Sequence, residues 1–142
     1  MVPPSVEAVP PHLNFAPFEN AVDALTRSAA EYRKALEHAN ANAGSALASA
    51  SLAEVNKMLI DSERKLTTTE GLSNRPWFKH QLYAPGFYTG YGVKTVPAVR
   101  EAIELKKWKL ADEGVVVVSR VLQDEAALIS SAAAKLTAAT AR

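Results

Sequence analysis

Apolar residues recur at helical spacing in two well-separated segments of the first half of the chain. From Phe18 to Leu36 they follow one another at steps of three and four, and charged residues occupy the opposite face. A second series begins where Ser51 and Glu54 stand at the spacing of a capping box. These patterns predict two amphipathic helices, the second from about Ser51 to Thr67.

Two further helices are predicted in the second half of the chain. Thr95 and Pro97 indicate the start of the third, because proline fits the first turn, where its missing N–H is not needed. Its apolar side includes Val99 and Ile103, with Trp108 as a further candidate. The fourth is a long alanine-rich helix from Asp112 to about Ala141.

Four consecutive valines, Val115 to Val118, are the one local conflict in this assignment. Side chains branched at Cβ favour a strand. Apolar residues nevertheless continue at helical spacing as far as Leu136, and no other segment offers a partner strand. The sequence therefore predicts a buried helix here.

The segment between the second and third helices holds most of the aromatic side chains. The chain has four Phe, two Trp and four Tyr, and six of these lie between Arg75 and Gly92 without helical or strand spacing. We expect Trp77, Phe78 and Tyr83 to pack in the core and anchor the segment. The glycine-rich end, "GFYTGYG", then forms a mobile tip. The predicted fold is an all-α four-helix bundle with one long aromatic- and Gly/Pro-rich loop between helices 2 and 3.

Length and composition indicate one globular domain with an ordinary core. The chain has 142 residues, of which 48% are hydrophobic and 22% are charged, and its net charge is +1. This balance gives no reason to expect nucleic acid or an anionic membrane as a partner. The absence of cysteine excludes disulfides and thiol chemistry. Residues 1–13 are predicted to be a Pro-rich linker, as at the start of an excised domain, and residues 14–142 the helical domain.

Side chains able to perform catalysis or hold a metal are present but not grouped. His12, His38 and His80 are scattered, and the chain has no HExxH motif and no Gly-rich phosphate loop. We expect His80 to be a packed histidine that bonds a loop carbonyl or carboxylate. The neighbours Asp124 and Glu125 do not face each other on a helix, so they are interpreted as a solvated patch. No catalytic residue, metal ligand or cofactor is predicted in this chain.

The aromatic segment resembles a known family. "GLSNRPWFKHQLYAP", residues 71–85, is similar to the segment Gly-Leu-Pro-x-Arg-Pro-aromatic-aromatic-basic-His-x-x-aromatic-Ala-Pro of the glutamate carboxypeptidase II and transferrin receptor family. "FAPFENAVDALTRSAAEY" and "VPAVREAIE" resemble the helices before and after that segment, and residues 108–136 resemble the family's last helix. The resemblance covers nearly the whole chain from about Leu13.

The resemblance implies that the chain is a part of a longer protein. Members carry a zinc-peptidase-like domain, an apical domain and a C-terminal helical domain, the transferrin receptor-like dimerisation domain. This chain is similar to the third alone. The expected partners are a second copy in a homodimer and the peptidase domain of the same parent, which holds the zinc. No membrane contact by this domain is expected. Family members mostly face the outside of the cell or the periplasm, so the resemblance implies that location for the parent.

The resemblance also implies substrate-binding residues. In the peptidases, a loop tyrosine binds the C-terminal carboxylate of the substrate, and the lysine before it pairs with the glutamate side chain. Counting from Tyr83 without gaps places Tyr91 on the tyrosine and Gly90 on the lysine. The alternative for Tyr91 is an aromatic side chain packed on the helical bundle. Lys94, a few residues on, is the candidate that replaces the missing ammonium. Because Gly90 stands where the family has a lysine, the resemblance does not support a preference for substrates that end in glutamate.

Three hypotheses for the function remain open from the sequence. The parent is either an active exopeptidase or a catalytically inactive transferrin receptor-like binding protein, in which this domain is structural. The residues upstream distinguish the two, because only the first requires the His, Asp and Glu ligands of a two-zinc site. A free-standing four-helix adaptor is the third hypothesis, and the linker-like start of the chain disfavours it.

Overall fold

The structure, a computed structural model, describes residues 9–42 and 49–140 of the chain. This part is mostly helical, and the predicted order of four helices is confirmed. Its elements are α1 (Ala16–Ala41), α2 (Ser49–Lys65), β1 (Tyr83–Pro85), β2 (Val93–Thr95), α3 (Pro97–Glu104) and α4 (Trp108–Thr140).

The helix ends differ from the predicted ones by a few residues, for local reasons. α1 begins at Ala16, where the side-chain oxygen of Asn14 accepts a hydrogen bond from the Ala16 N–H (3.1 Å). α4 begins at Trp108, because the chain turns through Lys106 at φ 55° and starts a new helix. The spacing suggested that Trp108 belongs to the third helix, but in the structure it is the first residue of α4. The four valines lie inside α4, so the prediction of a helix there is confirmed.

The segment between α2 and α3 contains a β-hairpin, which corrects the prediction of a loop throughout. β1 and β2 pair antiparallel, with Tyr83 opposite Thr95 and Pro85 opposite Val93. Each strand has three residues, too few to show alternation in the sequence. The hairpin gives the aromatic segment a regular base.

The described residues divide into two compact units. Unit 1 contains the residues up to Glu19 and Thr67–Ser119, and unit 2 contains Asn20–Leu66 and the chain from Arg120. In unit 1, α3 lies close to α4 at Gly114, where an added Cβ would come within 3.2 Å of the Ala98 carbonyl carbon. The core of unit 2 draws on α1, α2 and α4, with its buried members Ala35, Ala39, Val55, Ala133 and Leu136. Three helices share that core, and α3 belongs to unit 1.

The buried face of α1 overlaps the predicted one only in part. The sequence places Val22 and Leu36 on the core face, but both are exposed. Small side chains are buried instead, namely Ala21, Ser28, Ala35 and Ala39. Small residues allow neighbouring backbones to approach closely, whereas larger residues such as Tyr32 fit at the margin of the contact. Hydrophobicity alone therefore misplaced the centre of the buried face, while the predicted residues Phe18, Leu25 and Tyr32 are half-buried at its edge.

The pair Asp124 and Glu125 is only half solvated. Asp124 is exposed, but Glu125 is buried, and its carboxylate accepts a hydrogen bond from the Ser62 hydroxyl. The prediction of a solvated patch is wrong for Glu125. Helical geometry explains the difference, because adjacent residues point about 100° apart and can lie on opposite sides of the core boundary.

Candidate functional site

The hairpin ends in a seven-residue loop, Gly86–Gly92, which we call the tip loop. It is closed by a hydrogen bond from the Gly86 N–H to the Gly92 carbonyl (2.8 Å) and one from the Gly90 N–H to the Gly86 carbonyl (3.1 Å). Gly90 has φ +59°, a conformation that glycine adopts without strain. A Cβ on Gly86 would lie 2.1 Å from the Thr89 hydroxyl oxygen, so a larger residue there would require the Thr89 side chain to move.

The aromatic side chains of the tip loop are exposed in this chain. Tyr91 is fully exposed, Tyr88 is largely exposed, and Phe87 is about half exposed. Phe87 and Tyr88 contact each other edge to face, with ring centroids 4.8 Å apart. Tyr91 is therefore not packed on the helices of this chain, and its phenol is accessible to a ligand or to another protein surface.

The aromatic residues before the tip loop do not form the expected anchor. Trp77 is 69% exposed and Tyr83 is 51% exposed, so the prediction that they pack in the core is wrong. Phe78 alone is half-buried. Tyr83 stands on the outer face of the two-stranded sheet, since its neighbour Ala84 takes the buried position.

Two polar side chains anchor the segment instead. Arg75 is 3% exposed and Gln81 is buried. The Gln81 side-chain amide donates to the Thr68 hydroxyl (2.9 Å) and to the Lys79 carbonyl (3.0 Å). An irregular backbone leaves carbonyl groups without helix or sheet partners, and buried carbonyls require donors. Long polar side chains such as those of Arg75 and Gln81 supply those donors.

Arg75 connects the hairpin to α3. Its guanidinium donates to the Pro85 carbonyl and to the Glu101 carboxylate. The rings of Phe78 and Phe87 lie 5.5 and 5.6 Å from it. The other Glu101 oxygen accepts from the Phe87 N–H (2.8 Å). The sequence pattern did not identify Arg75 or Glu101 as site residues. A charged residue close to two aromatic residues in an irregular segment is a signal that could have indicated Arg75, whereas nothing in the pattern indicates Glu101.

His80 contributes to the fold of the segment. Its Nδ1 accepts hydrogen bonds from the backbone N–H groups of Leu82 (3.2 Å) and Tyr83 (3.4 Å), and its ring stacks on Tyr83 with centroids 3.9 Å apart. The expectation of a packed histidine therefore fits, but its partners on this nitrogen are backbone amides, not the predicted carbonyl or carboxylate. Across residues 9–42 and 49–140, no three His, Cys, Asp or Glu residues are grouped so as to hold a metal ion.

Lys94, the second predicted substrate ligand, lies on β2 and is bound to α3. Its ammonium contacts both carboxylate oxygens of Glu104 (2.9 and 3.0 Å), and Arg100 contacts one of them (3.2 Å). The hydrogen bond from Lys94, together with Arg100, lowers the pKa of Glu104 below its usual value. The structure thus places Tyr91 on an exposed loop and Lys94 in an ion pair at its base. Their roles toward a substrate stay predictions.

The chain is similar to known proteins over most of its length. The family described as the transferrin receptor-like dimerisation domain matches residues 13–130. The chain is 36% identical over 86 residues to the probable glutamate carboxypeptidase LAMP1 of Arabidopsis thaliana, which is 61% of this chain and 13% of that protein. It is 32% identical over 77 residues to a probable glutamate carboxypeptidase of Arthroderma benhamiae, which is 54% of this chain and 11% of that protein.

These similarities concern a small part of much longer proteins. The matched segments span 13% and 11% of the two relatives. Among the described residues, no helix is both long enough and apolar enough to cross a bilayer. The family match includes the hairpin and the tip loop, and it confirms the resemblance seen in residues 71–85. The chain belongs to the transferrin receptor-like dimerisation domain family.

Proposed function

We propose that the chain is the non-catalytic C-terminal dimerisation domain of a zinc-dependent exopeptidase of the glutamate carboxypeptidase type. In this proposal the tip loop caps the substrate pocket of the peptidase domain. The observation that carries it is Tyr91, whose side chain is fully exposed at the end of a hairpin with a buried, hydrogen-bonded base. The family match and the names of the two relatives support the same assignment.

The chemistry proposed for Tyr91 is recognition of a carboxylate. A phenol O–H donates one hydrogen bond, and a bond to a charged acceptor is stronger than one between neutral groups. Gly90, at the preceding position, supplies no charge. Lys94 is the proposed source of positive charge, and a substrate carboxylate would have to compete with Glu104 for its ammonium. Zinc supplies Lewis-acid chemistry in the peptidase domain when bound there, while this chain binds and orients the substrate.

Two partners complete the proposal. A second copy of the domain forms a homodimer, as the description of the family implies, and the peptidase domain of the same parent receives the tip loop. We also propose that the parent faces the outside of the cell or the periplasm. The helices contribute the contacts between copies, so assembly and substrate capping are separate tasks within one domain.

Replacing Tyr91 with phenylalanine in the full-length peptidase tests the capping role. Loss of a hydrogen bond to a charged group is worth about 1.5–3 kcal/mol, so we expect KM for a peptide to rise roughly 10- to 100-fold. Tyr88→Phe is the matched control, because it removes a phenol oxygen from the same loop. Unchanged kinetics in Tyr91→Phe, or an equal effect in Tyr88→Phe, would remove Tyr91 from the site.

The same assay tests Lys94. Lys94→Met is expected to raise KM, whereas Arg100→Met, which removes the other cation beside Glu104, is expected to leave KM unchanged. Equal effects of the two variants would show that the ion pairs with Glu104 matter for structure alone. A full-length protein that neither binds zinc nor cleaves peptides would favour the alternative, a transferrin receptor-like binding protein.

A further inference from the structure

We propose that Arg75 and Glu101 are positioning residues that hold the tip loop in the conformation that presents Tyr91. The proposal rests on the proposed function of the tip loop for its use of Tyr91. It concerns two side chains that touch no substrate themselves and act through the backbone of the loop.

The two side chains form hydrogen bonds with the backbone on both sides of Gly86. The Arg75 guanidinium donates to the carbonyl of Pro85, the last residue of β1. One Glu101 oxygen accepts from the N–H of Phe87, the residue after Gly86. The other Glu101 oxygen accepts from Arg75, so the two contacts are joined into one network. The first turn of the tip loop is therefore fixed to α3 through a charged pair.

This network is buried enough to be specific. The Arg75 side chain is 3% exposed and the Glu101 side chain is 17% exposed. An ion pair at low exposure loses little strength to solvent and salt, and its geometry is dictated by the surrounding contacts. The Phe78 and Phe87 rings beside the guanidinium restrict it further. Phe87 belongs to the tip loop, so the arginine holds the loop through a ring as well as through the backbone.

The outer part of the loop has little else to fix it. Tyr88, Thr89, Gly90 and Tyr91 are all exposed, so burial within this chain does not determine their positions. Two closing hydrogen bonds that involve Gly86, and one from the Tyr91 N–H to the Thr89 carbonyl (2.5 Å), give the loop an internal shape, but all three join residues within the loop. The direction in which the loop leaves the hairpin therefore depends on how the backbone at Gly86 is held. Pro85 and Phe87 are the residues through which Arg75 and Glu101 hold it.

Arginine is required for this role by its geometry. Its planar guanidinium presents several N–H groups in fixed directions, so it can donate to a carbonyl and a carboxylate at once and lie beside aromatic rings. Lysine keeps the charge but offers one flexible ammonium. A lysine in Arg75→Lys can keep either the ion pair or the contact with the carbonyl, but it cannot make both and also lie beside the two rings. The loop should therefore become less ordered.

The test combines hydrogen exchange on this chain with kinetics of the full-length peptidase. In Arg75→Lys, we expect the Phe87 amide to exchange about tenfold faster or more, as for a loss of about 1.4 kcal/mol of protection. The amide of Val118, within α4, should keep its rate and so report an intact fold. Arg64→Lys is the matched control, because it makes the same change in an exposed pair with Asp61. Glu101→Gln is the second variant, in case Arg75→Lys does not fold: it keeps an acceptor for Phe87 and removes the charge.

The kinetic arm separates positioning from a merely structural role. If the loop is mispositioned, KM should rise about tenfold with kcat retained, as expected for lost binding of substrate. A lower folded fraction would instead reduce apparent kcat and leave KM unchanged. The inference is supported if the Phe87 amide exchanges faster in Arg75→Lys and if KM rises in both Arg75→Lys and Tyr91→Phe.

Two results overturn the inference. The first is an exchange rate of the Phe87 amide that stays unchanged in both Arg75→Lys and Glu101→Gln. The second is a KM that stays unchanged in Arg75→Lys although Tyr91→Phe raises it. A faster Phe87 amide with no change of KM in either Arg75→Lys or Tyr91→Phe contradicts the proposed function of the loop, and still supports the pair as the residues that position it.

Discussion

Replacing Gly71 with alanine is expected to lower the free energy of unfolding by about 3 kcal/mol, the upper part of the range for a strained backbone residue. Gly71 has φ +70°, where residues with a Cβ are strained. The added methyl group would also lie 2.2 Å from the Pro76 carbonyl oxygen and 2.8 Å from the Phe78 carbonyl oxygen. The Phe78 oxygen accepts from the Leu72 N–H (2.9 Å), so the backbone cannot move away without losing that hydrogen bond. Chemical denaturation of the variant measures this loss.

Gly90→Ala is the matched control for this prediction. Gly90 also has a left-handed φ of +59°, but an added Cβ would meet nothing within 4 Å. It should therefore cost only the conformational strain, about 1–2 kcal/mol. A difference between the two variants isolates the effect of the clash at Gly71. If both variants lose the same free energy of unfolding, the Pro76 and Phe78 carbonyls do not lie as close to Gly71 as the structure places them.

Leu136→Ala is expected to destabilise the chain by about 2–5 kcal/mol, the range for removing a buried leucine side chain. Leu136 is 3% exposed and belongs to the core of unit 2, beside residues of α1 and α2. The truncation leaves a cavity, and the surrounding helices cannot close around it without losing other contacts. The midpoint of denaturation, compared at constant slope, gives the change in free energy.

Leu36→Ala is the control that distinguishes the structure from the sequence pattern. Helical spacing places both leucines on core faces, but Leu36 is 41% exposed. Its truncation should cost about 1 kcal/mol or less, in proportion to the apolar area that it buries. Both variants must be compared at one chain concentration, because association stabilises the folded state by mass action. If Leu36→Ala costs as much as Leu136→Ala, the observed orientation of α1 is wrong.

The sequence predicted the helices well, because their signals are local and repeated. Residues 115–118 are the clearest case: four valines favour a strand, yet the helical spacing on either side was decisive and α4 runs through them. The hairpin could not be predicted in the same way. Its strands have three residues each, and the side chains that hold the end of β1 and the following turn, Arg75 and Glu101, lie outside both strands, where no spacing reveals them.

The buried faces were predicted less well than the elements that carry them. In α1 the helix turns Ala21, Ser28, Ala35 and Ala39 inward and exposes Leu36, because close packing selects small side chains as well as apolar ones. The same limit applies to the aromatic segment. Trp77 and Tyr83 are exposed, and Arg75 and Gln81 are buried, because irregular backbone needs hydrogen-bond donors more than it needs apolar surface.

The candidate site was found through the family resemblance and not through periodicity. The resemblance selected Tyr91, and the structure adds that this side chain is fully exposed on a closed loop. It selected Lys94 only as a substitute for the ammonium missing at Gly90, and the ion pair with Glu104 was not foreseen. Glu104 lies 10 residues after Lys94 in the chain, and a sequence pattern does not indicate such contacts between a strand and a helix.

Sedimentation equilibrium of the chain over a wide range of concentrations tests the central claim, that this is a dimerisation domain, most directly. The account predicts that the mean mass rises with concentration toward twice the monomer mass of 15.2 kDa and does not exceed it. Leu36→Ala, which leaves the core intact, provides a folded comparison at the same concentrations. A mass that stays at 15.2 kDa up to the highest concentration attainable would contradict the account.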